Sequence, residues 1–254
     1  MCRIIAYVGA GGKTSSILET LADERYKGKR MVVTTTTRMK RPKKIPEGTD
    51  RLTESLSEAL SGLDAGDVVW YGHPAEAGKI QGPSFEEWEA LVQMTDFILV
   101  EADGSKRLPV KVPGMHEPVI FPYTDEICIV MGMSGLGKSL QAVCHRLPLV
   151  IKVLGKEMND ILEAEDYVRL LTDGYIELLR TKYPQCRQRI YLNQVNTEER
   201  RQAAETIKCR LEKAYPDLPV FLTDYRKALI CESDKGVDDS VSEDCRSSFK
   251  SQTD

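Results

Sequence analysis

The chain has 254 residues, 41% hydrophobic and 29% charged, a composition that closes a globular core without disulfides or a structural metal. No apolar run approaches the ~18 residues of a membrane-spanning helix. The opening residues run into glycines without the apolar stretch of a signal peptide, so a cytosolic protein is expected. The formal charge is −4, and residues 232–254 alone carry seven acids and three bases. Residues 1–231 are therefore neutral, which argues against a general nucleic-acid or membrane-surface binder.

In chain order, residues 3–8 read as a first strand, followed by a glycine turn. Residues 13 to about 26 read as an amphipathic helix with Ile17, Leu18, Leu21 and Ala22 on one face. Residues 31–35 are a second strand, 54–60 a short helix and 68–71 a third strand. Ser84-Phe85-Glu86-Glu87 is a capping box opening a helix with Trp88, Leu91 and Val92 inward. Residues 97–100 form an uninterrupted apolar run, the pattern of a central strand buried on both faces. A strand at 127–131 precedes a mostly helical stretch from about 155 to 179, interrupted near Gly174. A strand at 189–192, a helix at 197–214 and a strand at 219–222 restore the rhythm.

This alternation predicts a P-loop NTPase-like three-layer α/β fold with a mostly parallel central sheet, one nucleotide-binding domain over residues 1–231. Residues 232–254, rich in Ser and Asp and poor in large apolar side chains, read as a disordered acidic tail. Residues 104–124 form the longest irregular stretch before that tail, a length often associated with function inside a compact domain.

Gly9, Ala10, Gly11, Gly12, Lys13, Thr14 and Ser15 lie between the first strand and the first helix. In that context backbone N–H groups and a helix N-terminus can surround phosphate oxygens, with Lys13 reaching the β/γ-phosphates and Thr14 ligating Mg²⁺. The spacing departs from GxxxxGKS, because the first glycine would fall on Tyr7, and it is similar to the variant loops of Mur ligases or of the ParA/MinD group. A second stretch, Gly132 to Ser139, fits GxxxxGKS in every letter, but its helix meets Pro148 after barely two turns. The first loop is therefore expected to bind ATP or GTP, and the second is expected to be a decoy.

The strand at 97–100 ends in Glu101-Ala102-Asp103-Gly104, where a Walker B carboxylate would hold Mg²⁺. Glu101 and Asp103 are the candidate metal holders. Lys106, with Arg107 and Lys111, could neutralise phosphate charge, and His116 could shuttle a proton or ligate a metal. Thr34 to Thr37 close the second strand and could line a nucleotide or substrate pocket, Thr36 foremost; residues 38–44 hold five bases and read as a solvated loop or a binder of an anionic substrate. The seven cysteines form no CxxC pair and are expected to be free thiols. Cys144, beside His145 and Arg146, is the candidate for an activated thiolate.

Four blocks occurring in order carry a further reading: Val8 to Ser15, Thr34 to Arg38, Val100 to Pro109, and His116-Glu117-Pro118-Val119. Together they resemble the YqeC-like family, accessory proteins of selenium-dependent molybdenum hydroxylases. In that family the Gly132–Ser139 stretch is not regarded as a P-loop. Residues 189–196 resemble the family's later strand ending in NQxD, similar to the guanine-reading NKxD of GTPases; this implies Asn193 as a nucleotide-site residue. Asn196 stands where the carboxylate would be, so the choice between ATP and GTP stays open.

The resemblance implies a maturation factor that assists selenium or molybdenum-cofactor insertion. Its partner would be an apo molybdenum hydroxylase or a cofactor-handling protein, with nucleotide state gating delivery. A weak or partner-stimulated NTPase, an ATP-dependent ligase or kinase acting on a small anion, and a nucleotide sensor without turnover all fit these residues.

Overall fold

A computed structural model describes residues 2–224; the acidic tail lies outside the described residues. β1 (Arg3–Gly9) runs through the glycine loop into α1 (Lys13–Ala22), and β2 (Met31–Thr35) follows. Next come β3 (Arg38–Lys40), β4 (Arg51–Thr53), α2 (Leu56–Ala65), β5 (Val68–Tyr71), β6 (His73–Ala75) and β7 (Lys79–Gln81). The helix α3 (Phe85–Met94) leads to β8 (Phe97–Glu101), and β9 (Val110–Lys111) lies inside the long irregular stretch. β10 (Glu126–Gly132) precedes α4 (Leu140–Val143), β11 (Cys144–His145), α5 (Leu147–Leu154), α6 (Ala164–Leu171) and α7 (Glu177–Lys182). β12 (Arg187–Asn193), α8 (Glu198–Ala214) and β13 (Val220–Leu222) complete the described chain.

The main sheet has the order β13-β12-β10-β1-β8-β2-β5-β4. Every pairing in it is parallel. Parallel neighbours need crossover connections, which place helices over the sheet and bury its strands on both faces. Alternate residues of β1 accordingly enter two cores. Ile4, Ala6 and Val8 join the helical layer that includes Leu63, Trp88, Leu91, Ile207 and Leu211. Ile5 and Tyr7 join Ile17 of α1 together with Met39 and Ile80. The result is the expected three-layer α/β architecture.

The structure revises several sequence boundaries. The first helix stops at Ala22, because the Asp23 carboxylate accepts the Arg25 N–H and starts a separate 3-10 turn. The second helix runs over Leu56–Ala65 behind a Ser55 N-cap, later than expected. The long helical stretch begins at Leu147, breaks after Leu154, and passes through a π-helical turn at Thr172–Ile176. Pro148 opens α5 instead of ending the helix before it, since a first-turn proline gives up an N–H that would be unpaired anyway. The alternation gave no sign of the antiparallel sheet β3-β7-β6 or of the short parallel pair β11-β9.

Candidate functional site

The glycine loop sits at the carboxyl end of β1, flanked by β8 and β10, the edge of a parallel sheet where ligands bind. The Ala10 N–H is fixed on the Val130 carbonyl at 2.8 Å, and α1 starts immediately at Lys13. Gly12 adopts φ 139°, and a Cβ there would lie 2.0 Å from the Asn193 side-chain nitrogen. That amide donates to the Gly11 carbonyl at 2.9 Å, so Asn193 braces the loop from the end of β12. The N–H groups of residues 11 through 15 have no acceptor among the described residues, and no side chain caps α1. They are the orphan donors of a helix start, the arrangement that receives an anion.

The second glycine-lysine motif differs at this level. Several of its N–H groups are already bonded: Gly132 to Pro109, Leu136 to Met133, Gly137 to Leu162 and Lys138 to Gly135, each at 2.9–3.1 Å. Only one turn of helix follows, Lys138 is exposed, and Ser134 donates to the Gln194 side chain. The closer match in letters therefore has the N–H groups around its lysine, Leu136 to Lys138, committed within the protein, where the first loop leaves residues 11 through 15 unbonded.

Lys13 is buried, with its Nζ donating to the Gly9 carbonyl at 2.7 Å and lying 3.1 Å from Asp103 Oδ1. Burial alone would depress its pKa, but Asp103 and Glu101 outweigh that and hold it above the ordinary lysine value. Asp103 is fully buried; its other oxygen accepts the Gly9 N–H at 2.9 Å and pairs with Lys111 at 2.9 Å. Lys111 continues to Glu117 at 2.7 Å, and Glu117 to Arg146 at 2.7 Å. Burial opposes ionisation of Glu117, yet the hydrogen bonds from Arg146 and Lys111 carry its pKa down to about 2. A continuous chain of charges thus runs from the glycine loop through the 104–124 segment to β11.

Glu101 lies at the tip of β8, where its carboxylate accepts the Thr14 hydroxyl at 2.9 Å. Burial raises its pKa against the lowering influence of Lys13 and Thr14. Its backbone carbonyl accepts the Thr35 hydroxyl at 2.7 Å. Thr14 and Glu101 are therefore adjacent and outward, whereas the oxygens of Asp103 are taken up by two ammonium groups and a backbone N–H. Among the described residues no three His, Cys, Asp or Glu side chains converge into a metal cage. A Mg²⁺ here would complete its shell with phosphate oxygens and water.

Of the other sequence candidates, Ser15 lies in the first turn of α1 and Thr36 donates to the Val119 carbonyl, beside the end of β8. Lys106 and Arg107 are exposed in left-handed backbone, φ 49° and 63°, and engage no partner among the described residues. His116 is likewise exposed and unengaged. Cys144 is not an activated thiol: burial and Asp166 push its pKa up to about 12. Sequence reading quoted Glu117 only within a family block and Arg146 only as a neighbour of Cys144, and it grouped Lys111 with Lys106 and Arg107 as a base for phosphate, without the Asp103–Lys111–Glu117–Arg146 chain. One signal was available, since a lysine between Val110 and Val112 in a strand-like run needs a buried anion.

With the geometry in place, the relatives are informative. The YqeC protein family model matches residues 5–148, more than half of the chain. The chain belongs to the YqeC family. The Uncharacterized protein YqeC of Escherichia coli (strain K12) is 32% identical over 183 residues, spanning 66% of this chain and 67% of that protein. The YqeC match takes in most of β1, the glycine loop, the acidic end of β8 and the charge chain as far as Arg146, and ends before β12 with its brace Asn193. No helix among the described residues is long and apolar enough to cross a membrane.

Proposed function

We propose that this YqeC-family protein binds Mg²⁺ and a nucleoside triphosphate, ATP or GTP, on the loop of residues 9–15, and that the nucleotide state controls a delivery or insertion step. The run of unbonded N–H groups from Gly11 to Ser15 at the start of α1 carries this reading. Lys13 supplies a cation inside the loop, Thr14 and Glu101 stand together as metal-side ligands, and Asn193 keeps the loop open. Asp103 acts as the counter-ion that holds Lys13 until a phosphate competes for it. The family resemblance suggests the recipient, an apo molybdenum hydroxylase or a cofactor-handling protein receiving selenium or the molybdenum cofactor.

Calorimetric titration with non-hydrolysable ATP and GTP analogues plus Mg²⁺ tests the binding step. Lys13→Ala should abolish binding and Lys138→Ala should leave it within about twofold, a difference under 0.5 kcal/mol. Loss of binding in the Lys138 variant alone refutes the assignment. Phosphate release with and without apo-hydroxylase then separates a partner-stimulated NTPase from a sensor without turnover.

A further inference from the structure

A cleft of about 530 Å³ opens at the same edge of the sheet, two strands over from the glycine loop with β8 between. Its volume lies within the range of small-molecule sites. Thr36, Thr37 and Arg38 line it from the end of β2, and the segment 119–122 lines it opposite the start of α3. The backbone forms it by close approach: a Cβ on Gly82 would lie 1.9 Å from the Thr35 carbonyl oxygen.

Two chemistries meet in this cleft. One is flat and apolar. Trp88 and Phe121 stack at 4.3 Å with 17° between their planes, and Phe85 leans on Phe121 at 6.4 Å. Phe85 and Val119 remain 52% and 42% exposed, apolar surface left facing water on the cleft. The other is cationic. Arg38 is exposed and has no carboxylate partner among the described residues, although nearby Arg41 pairs with Glu54 at 2.6 Å. A guanidinium in that state is suited to a carboxylate, sulfonate or phosphate oxygen pair.

The cleft also touches the phosphate site through a single residue. The Glu101 carboxylate holds Thr14 of the loop, while its carbonyl accepts the Thr35 hydroxyl and, at 3.3 Å, the Thr36 N–H. We propose that this cleft binds a small organic anion, its flat apolar body on Phe85 and Val119 and its anionic group on Arg38, as a second ligand beside the nucleotide. Only its meaning as a second ligand rests on the nucleotide reading; binding itself is tested without nucleotide, so the two can fail separately.

The probe is 1-naphthoate, titrated into the full chain by calorimetry and by saturation-transfer NMR, with 1-naphthalenemethanol as the neutral isostere. Naphthoate should bind in the range of about 1 mM, and the alcohol about tenfold more weakly. Arg38→Gln and Phe85→Ala should each weaken naphthoate about tenfold with circular dichroism unchanged, since both side chains are exposed. Lys13→Ala should leave naphthoate binding intact, which separates this cleft from the phosphate loop. Absence of binding, equal binding of acid and alcohol, or full affinity in the Arg38 variant overturns the proposal. Displacement of naphthoate by ATP would place the cleft within the nucleotide site and overturn the second-ligand assignment.

Discussion

Replacing Asp103 with Asn tests whether the buried charge chain supports the loop. Asp103 and Lys111 are fully buried and Lys13 nearly so, so removing the central anion leaves two ammonium groups in a low-dielectric interior. Breaking a buried pair by deleting one partner costs about 3–5 kcal/mol. Lys111 keeps Glu117 at 2.7 Å and Lys13 keeps the Gly9 carbonyl at 2.7 Å, so the loss should fall near the lower end. Asn retains an oxygen to accept the Gly9 N–H, which isolates the charge from the hydrogen bond. About 3 kcal/mol in a domain of this size lowers Tm by roughly 6–12 °C.

The assay is urea unfolding of wild type, Asp103→Asn, Lys111→Met and the double variant. Lys111→Met leaves Asp103 with Lys13 and Glu117 with Arg146, so it should cost less than Asp103→Asn. The double variant should be more stable than the sum of the single losses predicts, because one of the two ammonium groups orphaned by Asp103→Asn is gone and only Lys13 remains. A change under about 0.5 kcal/mol for Asp103→Asn, or strict additivity of the two substitutions, would refute the coupled chain.

Two further predictions concern the remaining acids. Glu101→Gln should reduce Mg²⁺-dependent turnover more than metal-free nucleotide binding, measured by phosphate release alongside calorimetry; wild-type turnover would make Glu101 purely structural. The folded pKa of Glu117, about 2, lies below its unfolded value, so its stabilisation is full above about pH 4.3 and is lost as pH falls through roughly 2. Glu117→Gln should flatten the acid limb of the stability curve in that window, and an unchanged slope would count against the pairing with Lys111 and Arg146.

The sequence determined the elements whose physics is local. Apolar runs at β1, β8 and β10 read as strands, the uninterrupted one at β8 as buried on both faces, and alternation with amphipathic helices required a parallel sheet between helical layers. Ser84 and Glu87 announced the start of α3, where the full capping box forms. The glycine loop was legible because its lysine, its hydroxyl and its flanking elements are neighbours in the chain. Letters alone did not rank the two motifs: Gly132 to Ser139 carries the better match, yet its Gly132, Leu136 and Gly137 N–H groups are bonded to Pro109, Met133 and Leu162.

Only the tertiary structure decided who pairs with whom. Tyr7 stands beside Glu101 and Gly132 beside Asn193 because the crossovers set the strand order. That order brings Asp103 to Gly9, Lys13 and Lys111, and Asn193 to Gly11. The cleft between β2, α3 and the 119–122 segment arises in the same way, from pieces far apart in the chain. Periodicity and turn chemistry act over a few residues and are written in the sequence. The partner of a buried charge and the shape of a cleft depend on long-range topology, which the local pattern leaves open.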